Sequence, residues 1–461
     1  MRHELPTKPN VIFILADDMG YGDFSAFNPD IQSTKALDSL VRDGVTLTNC
    51  YSSSPVCAPS RASIMTGRYP QRCGVIDTLE ARGFDRLKLS ETTMADVFHD
   101  NGYYTGLIGK WHLGAIGEGY HPNKRGFDYF FGFRGGWNYY YNYIVERNGQ
   151  RIVSDGTYIT DVFSNEAVNF IRDNASRPFF LHLAYNAPHF PLEAPLEMVE
   201  KYKAIGKYTS AVCKVYAMIE CMDIGIGRVL LELKNQGIEN NTIVIFTSDN
   251  GPDFEGNGDD CLRRYNCDFK GSKMFTYEGG LKVPAVVRWP SKFSKGVSSK
   301  EIIHGNDWLP TLISLCDLKY SASKKMDGID FSRALQGQSL AERTLFWHWN
   351  RFQPNLSCNA AIRKRNWKML HAPIPEYLSL PPSEIDMDIE IKSYPERYKK
   401  VSVKPILERR KIAVPIVEMY DISEDPCEKK NVAPSEPDRV QSMEKQLQDW
   451  FAEVESERLS D

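Results

Sequence analysis

The sequence predicts an α/β protein: an α/β/α sandwich around a large, mostly parallel sheet, with a smaller C-terminal domain of antiparallel sheet plus helix. Three observations predict it. Short apolar runs rich in β-branched and aromatic residues recur through residues 1–343, each ending in a polar cluster. Segments with helical spacing of apolar residues separate them, and such alternation places helices on both faces of a sheet. Beyond residue 343 the apolar runs follow one another without long helices between them.

Residues 10–16 (NVIFILA) read as a buried strand leading into Asp17-Asp18. Residues 35–43 put Leu37, Leu40 and Val41 on one helical face. A second strand over 104–109 leads into Lys110-Trp111-His112, and a helix follows over 162–173. The run 179–184 leads into Tyr185-Asn186-Ala187-Pro188-His189, and after a helix over 208–235 the run 242–247 (TIVIFT) leads into Ser248-Asp249-Asn250-Gly251. Parallel strands place their C-terminal ends on one edge, where open α/β sheets bind ligands, so these clusters are expected to share one site. In the C-terminal part, strands are predicted over 344–349, 360–371 and 417–422. A helix over 437–457 follows, with Val440, Met443, Leu447, Trp450 and Val454 in one stripe. Residues 373–415 carry prolines and the charge runs Lys399-Lys400 and Arg409-Arg410-Lys411, which read as a long surface excursion. The expected division is a catalytic domain over 1–343 and a sheet-and-helix subdomain over 344–461.

Composition bounds the function. With 461 residues, 42% of them hydrophobic, the chain can bury large cores. The balance of 56 basic and 60 acidic residues, net charge -4, lacks the basic field of a nucleic-acid binder and the acidic excess of a disordered chain. No nucleic-acid partner is expected. No run reaches the length of a membrane span. Residues 1–10 are polar, without the apolar core of a signal peptide, so the expectation is a cytoplasmic protein, or a periplasmic or secreted one if a leader precedes this sequence. The ten cysteines show no paired CxxC spacing. A Cys261–Cys267 bridge and free thiols both fit. The sequence sets no oligomeric state.

The chemistry centres on Cys57-Ala58-Pro59-Ser60-Arg61. Pro59 suits a first helical turn, so Cys57 is expected just ahead of a helix N-terminus, where the macrodipole favours negative charge. Arg61 adds a permanently charged fork that can hold an oxyanion. A small buried thiol before an ordinary helix is the plainer reading of such a cysteine.

Residues 57–67 resemble the signature of the formylglycine-dependent (type I) sulfatases of the alkaline phosphatase superfamily. The segments NVIFILADDMGYGD, GLIGKWHLG, RGFDYFFGF, FFLHLAYNAPHFP, IVIFTSDNG, YEGGLKVP and MYDISEDPCEKKNVA extend the resemblance over nearly the whole chain. It implies a sulfuric ester hydrolase whose Cys57 is oxidised to Cα-formylglycine by a maturation enzyme. Asp17, Asp18, Asp249 and Asn250 resemble the family's metal ligands, joined by the modified Cys57 side chain. An all-oxygen set of this kind suits Ca²⁺, or else Mg²⁺, although Asp pairs after strands also cap turns. Lys110, His112, His189 and Lys273 resemble its sulfate-binding and proton-transfer residues. Lys273 is chosen by its position five residues before Glu278, with Lys270 as its competitor. In the implied reaction the hydrated aldehyde attacks sulfur, assisted by the metal and Arg61. His189 protonates the departing alcohol, with Lys273 assisting, and His112 takes the proton whose loss releases sulfate.

Trp137, Asn138 and Tyr139 open a run containing Tyr140, Tyr141 and Tyr143. Aromatic faces beside an amide suit a sugar ring, though aromatics also fill cores. With Arg264 in the stretch 252–268, they are expected to border the mouth of the site and bind substrate, because loops at such an edge carry specificity. The expected substrate is a carbohydrate sulfate ester. Two alternatives stay open at this point: a phosphonate or phosphodiester hydrolase of the same superfamily, and an unmodified protein that binds sulfated glycans.

Overall fold

A ten-stranded sheet spans the molecule in the order Val297–His304, Val45–Tyr51, Ala285–Arg288, Thr242–Ser248, Asn10–Ala16, Phe179–Ala184, Tyr104–Lys110, Tyr129–Phe133, Ile144–Arg147, Gln150–Val153. The computed structural model describes residues 8–28, 31, 34–254, 261–321, 324–405 and 414–460. The strands from Thr242–Ser248 through Tyr129–Phe133 run parallel, and antiparallel strands flank them on both sides. Alternation along Asn10–Ala16 feeds two cores. Val11, Phe13 and Leu15 pack with Ala58, Ala62, Phe98 and Trp308, while Ile12 and Ile14 pack with Leu37, Phe163 and Val215. Burial on both faces is why this strand reads as a continuous apolar run.

The predicted strands and helices of this part form, with shifted ends. Residues 104–109 and 242–247 each extend by one residue, to Lys110 and Ser248. The helix at 162–173 begins at Ile159, and that at 208–235 begins at Ser210, where Thr209 accepts a bond from the Val212 N–H. Val45–Tyr51 (VTLTNCY) and Val297–His304 (VSSKEIIH) were not legible as strands, because polar residues interrupt their apolar pattern.

The second sheet is antiparallel, in the order Thr344–His348, Ala360–Lys364, Trp367–His371, Val417–Asp421. The stretch 360–371, expected as one strand, is a hairpin whose turn holds Arg365 at φ 55. The helix Pro437–Ser460 buries Met443, Leu447, Trp450 and Val454 against Ile362, Met369 and Met419. On the opposite face Leu345, Trp347, Ala361 and Leu370 pack on Tyr51, Tyr277 and Leu281. The expected surface excursion instead folds back in part: it contains the helix Pro382–Ser393, whose Ile391 is buried with Ala81, Ala115 and Ile116. The run 409–411 lies outside the described residues. All ten cysteines are free thiols, so Cys261 and Cys267 form no bridge. Among the described residues no helix is long and apolar enough to cross a membrane.

Candidate active site

Four parallel strands end at one edge, and their polar successors meet there. The Asp17 N–H donates to the Ala187 carbonyl (3.1 Å) and the Asp249 N–H to the Ala16 carbonyl (3.2 Å), so the chain leaves adjacent strands as a connected rim. Asp18 (φ 63) and His112 (φ 57) adopt left-handed backbone there, a conformation uncommon for non-glycine residues. The wholly buried helix Cys57–Thr66 begins at Cys57 itself, with Val56 as its N-cap residue, one position earlier than expected.

The side chains at this rim form one buried network. Lys110 Nζ lies 2.7 Å from Asp17 Oδ2, and Lys273 Nζ lies 2.7 Å from Asp18 Oδ2. Asn250 Nδ2 donates to Asp18 Oδ1 (2.7 Å), which lies 4.0 Å from Cys57 Sγ. His189 Nε2 stands 3.6 Å from Asp18 Oδ2. Arg61 grips Asp249 Oδ2 through Nε and Nη2, both at 2.8 Å, and donates from Nη1 to the Lys110 carbonyl (3.1 Å). Nε and Nη1 are thereby engaged in hydrogen bonds, while Nη2 also stands 3.6 Å from Asp17 Oδ1. Ligand atoms from Asp17, Asp18, Cys57 and His189 all lie within 4.8 Å of one another. Among the described residues the buried Asn250 Oδ1 has no hydrogen-bond partner, and Asp17 Oδ1 has only Arg61 Nη2 at 3.6 Å. Leaving such acceptors unsatisfied costs about 1–3 kcal/mol each, which a cation would relieve. The oxygen-rich donor set fits a hard divalent ion.

Electrostatics divides the two adjacent carboxyls. Burial lifts Asp17 to about 7 against the pull of Lys110, with Asp249 adding to the rise. Burial would lift Asp18 as well, but Lys273, His189 and Lys110 outweigh it and hold the group well below the usual carboxylate range. Burial pushes the Cys57 thiol up more than Lys110 and Lys273 draw it down. Burial, then Lys273, push His189 well below its ordinary value. Because a carbonyl can only accept, His189 Nδ1 carries the hydrogen donated to Phe190 (2.7 Å), and Nε2 faces Asp18.

The competition between lysines resolves geometrically: Lys270 pairs with Glu418 (2.9 Å), whereas Lys273 joins the carboxylates. His112 turns Nε2 toward the Thr78 carbonyl (3.2 Å), with Glu80 at 3.8 Å. Trp137 connects to the network through Phe190, whose ring lies 4.6 Å from that of His189 and 5.7 Å from that of Trp137. Tyr139, 41% exposed, stands edge-on to Trp137. Both polar ends of the Asn138 amide are engaged inside the loop, with the Ile144 carbonyl and the Tyr139 N–H.

Arg264 requires a correction. Its side chain is 1% exposed, forks onto Asp23 and donates to the Asp18 carbonyl (2.8 Å). An inward partner thus makes it a support for the Asp18 backbone and not a contact at the mouth. Residues 255–260 of the same stretch lie outside the described residues. Sequence reasoning passed over Asp23, Glu80 and Phe190. Asp23 and Phe190 stand inside recognised segments, but nothing in their spacing announces a supporting role.

Residues 9–318 match the family described as Sulfatase, and residues 270–376 match N-sulphoglucosamine sulphohydrolase, C-terminal. The chain belongs to the sulfatase family and is a sulfuric ester hydrolase. It is 34% identical to the uncharacterized sulfatase YdeN of Escherichia coli (strain K12), over 74% of this chain and 70% of that one. It is 31% identical to N-acetylgalactosamine-6-sulfatase of Rattus norvegicus, over 74% of this chain and 68% of that one. Among solved structures, Ps i-CgsB in complex with k-i-k-neocarrahexaose superposes with a TM-score of 0.80 at 28% identity, covering 96% of this chain and 93% of that one.

Proposed function

We propose that this chain hydrolyses a sulfate monoester of a sulfated carbohydrate, with residue 57 acting as Cα-formylglycine and with Ca²⁺, or Mg²⁺ in its place, held by Asp17, Asp18, Asp249 and Asn250. The observation that carries the reading is Cys57 itself, buried at a helix start within 4.8 Å of the ligand atoms of Asp17, Asp18 and His189. When bound, the cation supplies positive charge that favours an anionic oxygen at residue 57 and neutralises sulfate oxygens.

The chain's own groups do the rest. Lys110 and Lys273 stand on either side of the Asp17-Asp18 pair and offer ammonium groups to the sulfate oxygens. Arg61 fixes Asp249 by gripping one oxygen. His189 keeps Nε2 toward the cluster through its Nδ1–H bond to Phe190. A proton acquired at Nε2 beside the anionic ester is given to the departing alcohol oxygen, with Lys273 assisting. His112 acts as base toward the hydroxyl at residue 57. The ring faces of Trp137 and Tyr139 form a wall for the sugar. The relatives named for N-acetylgalactosamine-6-sulfate chemistry and crystallised with k-i-k-neocarrahexaose support the carbohydrate class.

Mass spectrometry of the peptide containing residue 57 should show aldehyde or its hydrate in active protein. Full turnover from protein containing only unmodified Cys57 overturns the reading. Rates on defined sulfated sugars, on an aryl sulfate and on an aryl phosphate diester should favour the sulfates.

A further inference from the structure

We infer that Thr78, Glu80 and Gly136 form a positioning cradle that fixes His112 as a base acting through Nδ1. The inference rests on the reading of His112 given above and specifies how the fold prepares that residue.

The hydrogen bonding sets the tautomer. His112 Nε2 lies 3.2 Å from the Thr78 carbonyl oxygen, which can only accept, so Nε2 bears the hydrogen and the lone pair of the neutral ring is on Nδ1. Glu80 Oε1 stands 3.8 Å from the same Nε2. Glu80 is fully buried, and this oxygen is held by the Gly136 N–H. When the ring gains a proton at Nδ1, the carboxylate therefore lies alongside the new cation and stabilises it.

Sterics sets the ring's place. A Cβ at Gly136 would come 2.6 Å from His112 Cε1, 2.7 Å from Nε2 and 3.2 Å from Glu80 Oε1. Any side chain at 136 would push the imidazole off the Thr78 carbonyl.

The cradle is anchored by the C-terminal part of the chain. Arg351 Nη1 bonds Asp77 Oδ1 and Thr78 Oγ1, each at 2.8 Å, and the Phe352 N–H donates to Asp77 Oδ2 (3.2 Å). From the excursion helix, Asp388 accepts the Ala81 N–H (3.2 Å) and Glu384 pairs with Arg82. The part of the sequence without catalytic motifs thus holds the turn that aims a proton-transfer residue.

Two measurements test this. In Cys57→Ala protein with ¹⁵N-labelled histidine, with His112 assigned by its substitution, the resonances should report a neutral ring protonated at Nε2. Gly136→Ala should shift that signature. In active protein, Glu80→Gln keeps the acceptor for Gly136 but removes the charge. It should lower kcat roughly tenfold or more with little change in KM, and acid-quenched protein should retain covalent sulfate. Glu80→Asp should recover part of the rate. An Nδ1-protonated ring, or wild-type kcat in Glu80→Gln while His112→Ala remains slow, overturns the cradle alone. Wild-type turnover in His112→Ala overturns the reading of His112 as base, and the cradle with it.

Discussion

Two buried ionic clusters flank the segment 270–282, and they are built on opposite plans. Around Glu278 the charges answer one another. Lys368 Nζ lies 3.0 Å from Glu278 Oε1 and 2.9 Å from Glu428 Oε1, Tyr51 donates to Glu278 Oε2 (2.7 Å), and Glu428 accepts the Glu278 N–H (2.6 Å). The ring of contacts ties the strand Val45–Tyr51 of the large sheet to the hairpin strand Trp367–His371 of the small one. Around Asp18 the cations Lys110, Lys273 and Arg61 also meet carboxylates, but among the described residues Asn250 Oδ1 has no hydrogen-bond partner and Asp17 Oδ1 meets only Arg61 Nη2, at 3.6 Å. A closed cluster holds elements together. An open one keeps electrostatic capacity in hand for an ion and a substrate.

The sharpest way to separate the two is to damage each and ask what fails. Cys57→Ala should abolish turnover, on the order of a thousandfold or more, since no other group replaces the nucleophile. Its melting temperature should stay within a degree or so of wild type, because the change is small. Measuring kcat and thermal unfolding on one preparation checks both halves.

Lys368→Met should do the reverse. Removing the shared cation takes Glu428 from its ion-pair partner and leaves Glu278 with Tyr51 and the more distant Arg363, with an expected loss of about 3 kcal/mol read from the urea midpoint. Activity per folded molecule should be kept. A loss below ~1 kcal/mol would mean that the closed cluster does not hold the sheets together.

Chelation probes the open cluster. Removing bound cation should eliminate turnover and lower the melting temperature, and Ca²⁺ at a hundred times its Kd should return about 2.7 kcal/mol of stability together with activity. Asp249→Ala should show neither response, whereas Lys368→Met should respond to Ca²⁺ as wild type does. A Ca²⁺ shift of equal size in Asp249→Ala would remove that residue from the ligand set.

The smallest expected effect is at the rim. Tyr139→Ala should weaken kcat/KM on the best sugar sulfate several-fold, on the order of 1 kcal/mol of lost ring contact, while an aryl sulfate is hydrolysed as before. Asn138→Ala should act less directly, by loosening the turn its amide closes. Equal losses on both substrates would place sugar recognition elsewhere.

The sequence by itself determined the strands whose burial on both faces leaves an unbroken apolar run, such as 10–16 and 179–184, and the polar pairs that follow them. It also determined the reaction class, because Cys57, Arg61 and their neighbours form a local pattern that needs no tertiary contact to be read. Strands such as Val45–Tyr51 were hidden because polar residues break their period. Position before Glu278 had already favoured Lys273, and tertiary structure supplies the reason, since distant segments bring Asp18 to Lys273 and Glu418 to Lys270. Tertiary structure alone decided that Arg264 turns inward onto Asp23, and that Glu80 and Gly136 meet His112. Hydrogen bonds and close approaches between residues far apart in sequence leave no periodic trace, because their geometry exists only once the sheet has gathered its strand ends at one edge.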